Sequence, residues 1–368
     1  MSLNQFNNKS KKGSALVVVL WVTGILSLFV MSFAFTMHVE TRITSAWRKK
    51  LKAEYLAQSG IELARMALVE TSDPDLDIDD TLVYVSKGGD ENLRYAIISL
   101  AQGGSATLTR QVGSNTVTVA ITPENARMDI SGMIFVDDRE LTYDAWENLF
   151  KSVDVPLADR DTLIDCLLDW VDENDFTRLN GAESSYYESL DPPYSAKNAA
   201  IDTVDEIALI KGFDEKIRGS EKTIYEAIAP NLTCYGVADR ININAADAGT
   251  LVAFLNIDQA IAEEIVRERM GSDELESTED DEPFRDINDL LTRIPSLDST
   301  IDSLITFSGT GLYKIKSTGK VGNLTHTITC VASWQNQEFL FLTWSEGPEE
   351  SPDPIVEDEF GDSFLDNN

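Results

Sequence analysis

The chain has 368 residues, with 63 Asp and Glu against 30 Lys and Arg, a net charge of −33 and a pI near 4.2. A surface this acidic repels nucleic-acid phosphates and attracts cations, so its sign speaks against a nucleic-acid partner. Two histidines, His38 and His326, lie in different segments and leave no material for a zinc site or a His-based catalytic triad.

Ser14 to Met37 is a run of 24 residues without a charge or a proline, preceded by Lys9, Lys11, Lys12 and Gly13. A helix needs about 20 apolar residues to cross a bilayer. A cleaved signal peptide has an apolar stretch of about 7–15 residues and a small-residue cut after it, and neither is present. Residues 14–37 therefore read as a membrane anchor, and the leading lysines place the N-terminus in the cytoplasm. The orientation signal is mixed, because Arg42, Arg48, Lys49, Lys50 and Lys52 follow the run. From Glu40 to Glu70 there is neither proline nor a turn cluster. Leu51, Tyr55, Leu56, Ile61, Leu63, Met66 and Leu68 recur among small residues at Ala53, Ala57, Gly60, Ala64 and Ala67. That pattern predicts one amphipathic continuation, a helix of about 80 Å in all. It ends before Thr71-Ser72-Asp73-Pro74.

A short basic leader ending in glycine directly before an apolar helix resembles a type IV prepilin leader. KKGSALVVVLW followed by AEYLAQSGIELA is similar to the minor pseudopilin K (GspK) family of type II secretion systems. The resemblance implies cleavage between Gly13 and Ser14 by a prepilin peptidase, and methylation of the new amine on Ser14. Most pilins carry a glutamate at the fifth mature position, and here that position is Val18. Such a carboxylate neutralises a neighbouring subunit's terminal amine in an apolar bundle, where unpaired charge is costly. The K-type members lack it, so Val18 fits them.

Further along, Tyr95 to Ile121 reads as three strands, YAIISLA, SATLTRQV and NTVTVAIT, with turns at QGG and VGSN. Leu312 to Trp344 alternates in the same way. Both β regions are expected in one antiparallel sheet that covers the apolar stripe of the long helix. Between them LTYDAWENLFKSV, ADRDTLIDCLLDWVD, TVDEIALIKGF, AADAGTLVAFL, DQAIAEEIVRERM and DINDLLTRI have helical periodicity, with a capping-box spacing at Thr203 and Glu206. This block predicts an inserted all-α domain. Its stretch LLDWVDENDFTRLNGAESSYYESLDPPYSAKNAAIDTVDEIALIKGF resembles the same family closely, whereas TPENARMDIS departs from it.

The fold class is therefore α+β: a pilin-like N-terminal helix on an antiparallel sheet, with an all-α insertion containing helix-hairpin-helix-like (SAM-like) repeats. The expected divisions are a leader at 1–13, the helix at 14–70, and a first β region at 71–136. The insertion follows at 137–308, a second β region at 309–345, and an acidic disordered tail at 346–368.

Three motifs bear on chemistry. DRININAADAGTLVAFL with IAEEIVRERM resembles a helix-hairpin-helix, but the hairpin NIDQA has no glycine and carries Asp258, so a packing role is expected. Asp169, Asp172, Glu173, Asn174, Asp175, Asn180 and Glu183 are dense in oxygen ligands. Their spacing is not an EF-hand loop and equally suits a solvated acidic cap, while calcium takes 6–8 such oxygens. The family resemblance implies calcium as cofactor, with Asp172, Asn174, Asp175 and Glu183 as ligands. Cys166, Cys234 and Cys330 allow one disulfide and one free thiol, and spacing does not choose the pair.

No nucleophile elbow or metal motif accompanies the carboxylates, so the expectation is a structural protein and not an enzyme. The resemblance implies a tip subunit of a secretion pseudopilus in the bacterial inner membrane, single-pass, with its bulk in the periplasm. Its implied partners are the I- and J-type minor pseudopilins, the inner-membrane secretion platform and the prepilin peptidase. The rival readings are a DNA-uptake or DNA-binding protein with a prepilin leader, and a plain signal-anchored periplasmic domain.

Overall fold

Helix α1 (Lys12–Glu70) runs for 59 residues without a break, as its lack of proline allows. The computed structural model describes residues 12–71, 91–134, 139–236, 240–335 and 338–347. Most of the leader, part of the first β region and the tail from 348 onward lie outside the described residues.

The two halves of α1 differ in surroundings. Residues 16–52 are exposed throughout. From Ala53 on, one stripe is buried: Ala53, Ala57, Gly60, Ile61, Ala64, Ala67 and Leu68. The stripe follows the helical period, so it forms one face. Its small side chains let the helix backbone come down onto the sheet. A Cβ on Gly60 would stand 2.1 Å from Ser317 Oγ, and one on Gly319 would stand 2.1 Å from the Ala53 carbonyl oxygen. Ser317 Oγ donates to the Ala57 carbonyl at 2.7 Å.

The sheet beneath has five antiparallel strands in the order β1-β2-β7-β8-β9. They are β1 (Ala106–Val112), β2 (Asn115–Pro123), β7 (Leu312–Val321), β8 (Leu324–Gln335) and β9 (Glu338–Gly347). Ile121 stands opposite Ile315, and Ile315 opposite Cys330. These side chains, with Leu108, Val117, Val119 and Ile328, form the core under α1. The union of two β regions distant in sequence is as the alternation predicts.

One expected strand is a helix. YAIISLA lies in α2 (Glu91–Ala101). Ala96, Ile97, Ser99 and Leu100 are its buried residues, a spacing that belongs to a helix face and not to a strand. The helix packs on β1 and α1.

α3 (Ile130–Ile134) precedes the insertion, which holds α4 (Arg139–Ser152), α5 (Leu157–Val171), α6 (Ser184–Tyr187), α7 (Ile224–Ile228), α8 (Ala248–Leu255), α9 (Gln259–Met270) and α10 (Ile287–Arg293). The insertion is not all-α. β3 (Met128–Asp129) pairs in parallel with β4 (Leu232–Thr233), and β5 (Ile241–Asn242) with β6 (Ile305–Thr306). TVDEIALIKGF forms a 3-10 helix at Val204–Leu209, with the predicted capping box in place at Thr203 and Glu206. The packing also divides. One core gathers Trp146, Leu149, Phe150, Ile164, Tyr187 and Phe213, and another gathers Ile241, Ile243, Leu251, Ile265, Phe284 and Leu290.

Buried amides join the second of these to the sheet. Asn244 Nδ2 donates to the carbonyls of Gln102, Phe284 and Phe307 at 3.2, 2.9 and 3.1 Å. Its Oδ1 accepts from Phe284 N at 2.9 Å. Asn242 Nδ2 donates to the Gly103 carbonyl at 2.7 Å. Each supplies a partner to groups that would otherwise be buried and unpaired.

Candidate functional site

Helix α5 starts after Pro156 and carries Asp165 and Asp169 one turn apart, with Asp172 at its C-terminal cap. The first two point inward. Asp165 is 6% exposed and Asp169 fully buried, so both need partners. The loop that follows folds back to provide them. Tyr143 Oη donates to Asp165 Oδ1 at 2.7 Å, and Asn180 donates to Asp165 Oδ2 through N and Nδ2. Arg178 donates to Asp169 through its backbone N and through Nη1, and the same Nη1 reaches Asp172 Oδ2 at 2.5 Å. Gly181 permits the fold-back, since a Cβ there would lie 1.9 Å from Asp169 Oδ2.

Glu183 completes the group from the N-cap of α6. Its side chain is 2% exposed, and neither carboxylate oxygen has a hydrogen-bond partner. Asp169, Asp172 and Glu183 each offer an oxygen within 4.8 Å of the others. Burial, then the charges of Asp169, Asp172 and Asp175, push the Glu183 carboxyl up to about 7. Three carboxylates thus face one guanidinium. An unpaired buried carboxylate beside two others is the donor set a hard cation satisfies, so these residues fit calcium.

Of the four ligands expected from the sequence, Asp172 and Glu183 come together. Asn174 stands beside them as a brace, donating to Asp172 Oδ1 from N and Nδ2 at 3.1 and 2.6 Å. Asp175 accepts from Asn198 Nδ2 at 3.1 Å and adds its charge at Glu183. Neither belongs to the three-carboxylate group. Asp169 does, and the ligand set read from the sequence left it out. Its signal was the spacing from Asp165 to Asp169 to Asp172, which puts three acids on one face of α5. Beneath the site Trp170 packs edge-on against Tyr187, with ring centroids 5.1 Å apart, and Tyr187 stacks on Tyr194 at 5.3 Å. These aromatics are core.

The remaining candidates lie elsewhere. Gly13 and Ser14 are part of the backbone of α1. Cys166, Cys234 and Cys330 are free thiols. At the hairpin-like pair, Asn256 takes a left-handed conformation after α8, and Asp258 sits at the N-terminal boundary of α9, accepting from Ile261 and Ala262 N through its backbone carbonyl. Arg269 of α9 is buried, and its Nη1 donates to the carbonyls of Ile243 and Ala246 at 2.7 Å. That guanidinium is spent on the backbone and cannot meet a phosphate.

Residues 126–236 match the family described as type II secretion system (T2SS), protein K. The chain is similar to type II secretion system protein K of Aeromonas hydrophila, 26% identical over 307 residues, which covers 79% of this chain and 84% of that one. It is similar to the protein of the same name from Pseudomonas aeruginosa, 23% identical over 279 residues and covering 74% and 76%. A putative protein K of Escherichia coli K12 is 21% identical over 215 residues, covering 57% and 60%. In fold, the chain is similar to one in the crystal structure of the GspK-GspI-GspJ complex from the type 2 secretion system of enterotoxigenic Escherichia coli. There the TM-score is 0.55 at 16% identity, covering 84% of this chain and 99% of the other.

Proposed function

We propose that the chain is a member of the protein K family of type II secretion systems, which residues 126–236 and the similar protein K of Aeromonas hydrophila support, and that it works at the tip of the secretion pseudopilus, supporting protein export across the outer membrane. It is a structural minor pseudopilin, and its role is assembly and not catalysis. The observation that carries this reading is the two-part character of α1. Small residues seat its C-terminal half on the sheet, and its N-terminal half is long, apolar and bare.

In this reading the chain is a single-pass protein of the bacterial inner membrane with its bulk in the periplasm. A prepilin peptidase cuts between Gly13 and Ser14, and the new amine is methylated. The apolar helix then packs among the helices of I- and J-type minor pseudopilins, and the inner-membrane platform drives assembly. The broad insertion does not fit within a stack of narrow subunits, and Val18 offers no carboxylate to a subunit's terminal amine. Both points support an end position. The α8–α9 pair is read as helix-hairpin-helix-like and serves packing.

Calcium would be held by Asp169, Asp172 and Glu183, and when bound it would supply the positive charge that lets the buried Glu183 carboxyl ionise. Asp169 and Asp172 also hold Arg178, so the ion and the guanidinium share or contest the same oxygens. The site's task in this reading is to pin the loop from Asp172 to Glu183 against α5.

The test is intact mass and N-terminal sequencing of protein from membranes of cells with and without an active prepilin peptidase. A methylated N-terminus at Ser14, lost without the peptidase, is expected. An uncut N-terminus, or a cut after Met37, would overturn the pseudopilin reading and favour a plain anchor.

A further inference from the structure

Arg42, Arg48, Lys49, Lys50 and Lys52 fall within eleven residues of α1 with no acid among them, in a chain of net charge −33. All five are exposed. Among the described residues none of them forms a salt bridge. Lys50 lies over the ring of Trp47, 5.5 Å from its centroid. The cluster follows the apolar segment, and it outnumbers the three lysines that precede it. Basic residues ordinarily favour the cytoplasmic flank of a span. Topology therefore does not account for these five, and neither does the fold.

Their placement does. Arg42, Ser45, Ala46 and Lys49 recur at helical spacing on one face of α1, and the β7–β8 turn at Gly322, Asn323 and Leu324 stands opposite. These seven residues enclose an open cavity of about 420 Å³ with two cations and no carboxylate in its lining. Helical side chains slope toward the helix N-terminus, which here is the membrane side, so both cations lean back toward the bilayer. The 24-residue apolar run spans about 36 Å. The hydrocarbon core takes about 30 Å of that, and head groups extend the bilayer to about 40–45 Å. Arg42 follows Met37 by five residues, about 7.5 Å, and its side chain leans back to head-group level, while Lys49 stands about 10 Å farther out along the helix and leans the same way. Trp47 and Leu324 are exposed beside the cavity and add apolar surface there.

The geometry points to a recognition site for the phosphodiester of an anionic phospholipid between α1 and the β7–β8 turn, with Arg42 and Lys49 as its cations. The inference rests on α1 crossing a bilayer. The full chain is reconstituted into phosphatidylcholine vesicles, and spanning is scored separately by flotation after a carbonate wash. Spin-labelled phosphatidylglycerol and spin-labelled phosphatidylcholine are then compared for the fraction immobilised at the protein.

The expected result is a severalfold preference for phosphatidylglycerol that disappears in Arg42→Gln/Lys49→Gln. The charge-matched pair Arg48→Gln/Lys50→Gln, off the cavity, keeps most of it. An excess of inorganic phosphate at constant ionic strength leaves the preference intact if the lipid head group is the ligand; its complete loss would assign the site to free phosphate and overturn the lipid reading. Equal losses in the two double variants, or no preference in a chain that spans the vesicle, would also overturn it.

Discussion

Calcium binding at the three-carboxylate group should release a proton, and Glu183 should be its source. Raised from 4.5 to about 7, this carboxyl costs the folded state about 3 kcal/mol when it must ionise without a cation. The sign follows from proton counting. Between pH 4.5 and 7 the folded chain holds a proton that the unfolded chain has lost, so stability falls as pH rises through that window. Above 7 the penalty is complete, and below 4.5 it vanishes. With a folded value near 7, about nine-tenths of molecules are protonated at Glu183 at pH 6, so calcium should expel about 0.9 proton there and almost none at pH 8. Apparent affinity should weaken by about tenfold for each pH unit below 7. The assay is calorimetric titration of calcium into the detergent-solubilised chain at pH 6, in two buffers of different protonation enthalpy. Glu183→Gln should abolish the released proton. Without calcium at pH 8 the same variant should be more stable than the parent by up to about 3 kcal/mol. A parent chain that binds calcium at pH 6 without releasing a proton would refute the reasoning, and so would a variant that releases as many.

Gly181→Ala puts a methyl against the Asp169 carboxylate, and we expect calcium affinity to fall by at least tenfold while the melting of the sheet is unmoved; equilibrium dialysis reports it. Gly319→Ala drives a methyl toward the Ala53 carbonyl, where only backbone can give way. It should cost about 1–3 kcal/mol in urea denaturation by lifting α1 off β7. Asn244→Ala leaves the carbonyls of Gln102, Phe284 and Phe307 short of a donor. A loss of about 1–3 kcal/mol is expected, with faster amide exchange concentrated at residues 284–307.

The parts of this fold that sequence reveals are those governed by one period. α1 was legible because proline is absent and small residues recur at helical spacing, and β7 because its alternation is clean. YAIISLA misled because Tyr95, Ile97 and Ile98 are strand formers before a Gly-Gly turn. Only the burial of Ala96, Ile97, Ser99 and Leu100 on one side shows the helix. TVDEIALIKGF carried a true capping box but folded as a 3-10 helix, since a start signal does not fix the pitch that follows. The two short parallel pairings had no signal at all: two-residue strands have no measurable period, and their partners lie 104 and 64 positions away. Around the clustered carboxylates, acid density pointed to the loop that carries Glu183 and begins at Asp172. Asp169 was missed because it belongs to the helix and enters the site from below.

The bare half of α1 has a consequence for movement. No described residue of this chain covers positions 16–52, and exposing the apolar part to water would cost on the order of tens of kcal/mol. The chain therefore has no soluble intermediate on its way out of the lipid. It can leave only at the rate at which other apolar helices replace acyl chains around it, one flank at a time. For a subunit that works as proposed, departure and incorporation would then be a single event, and one that lost its neighbours would fall back into the membrane instead of escaping into water.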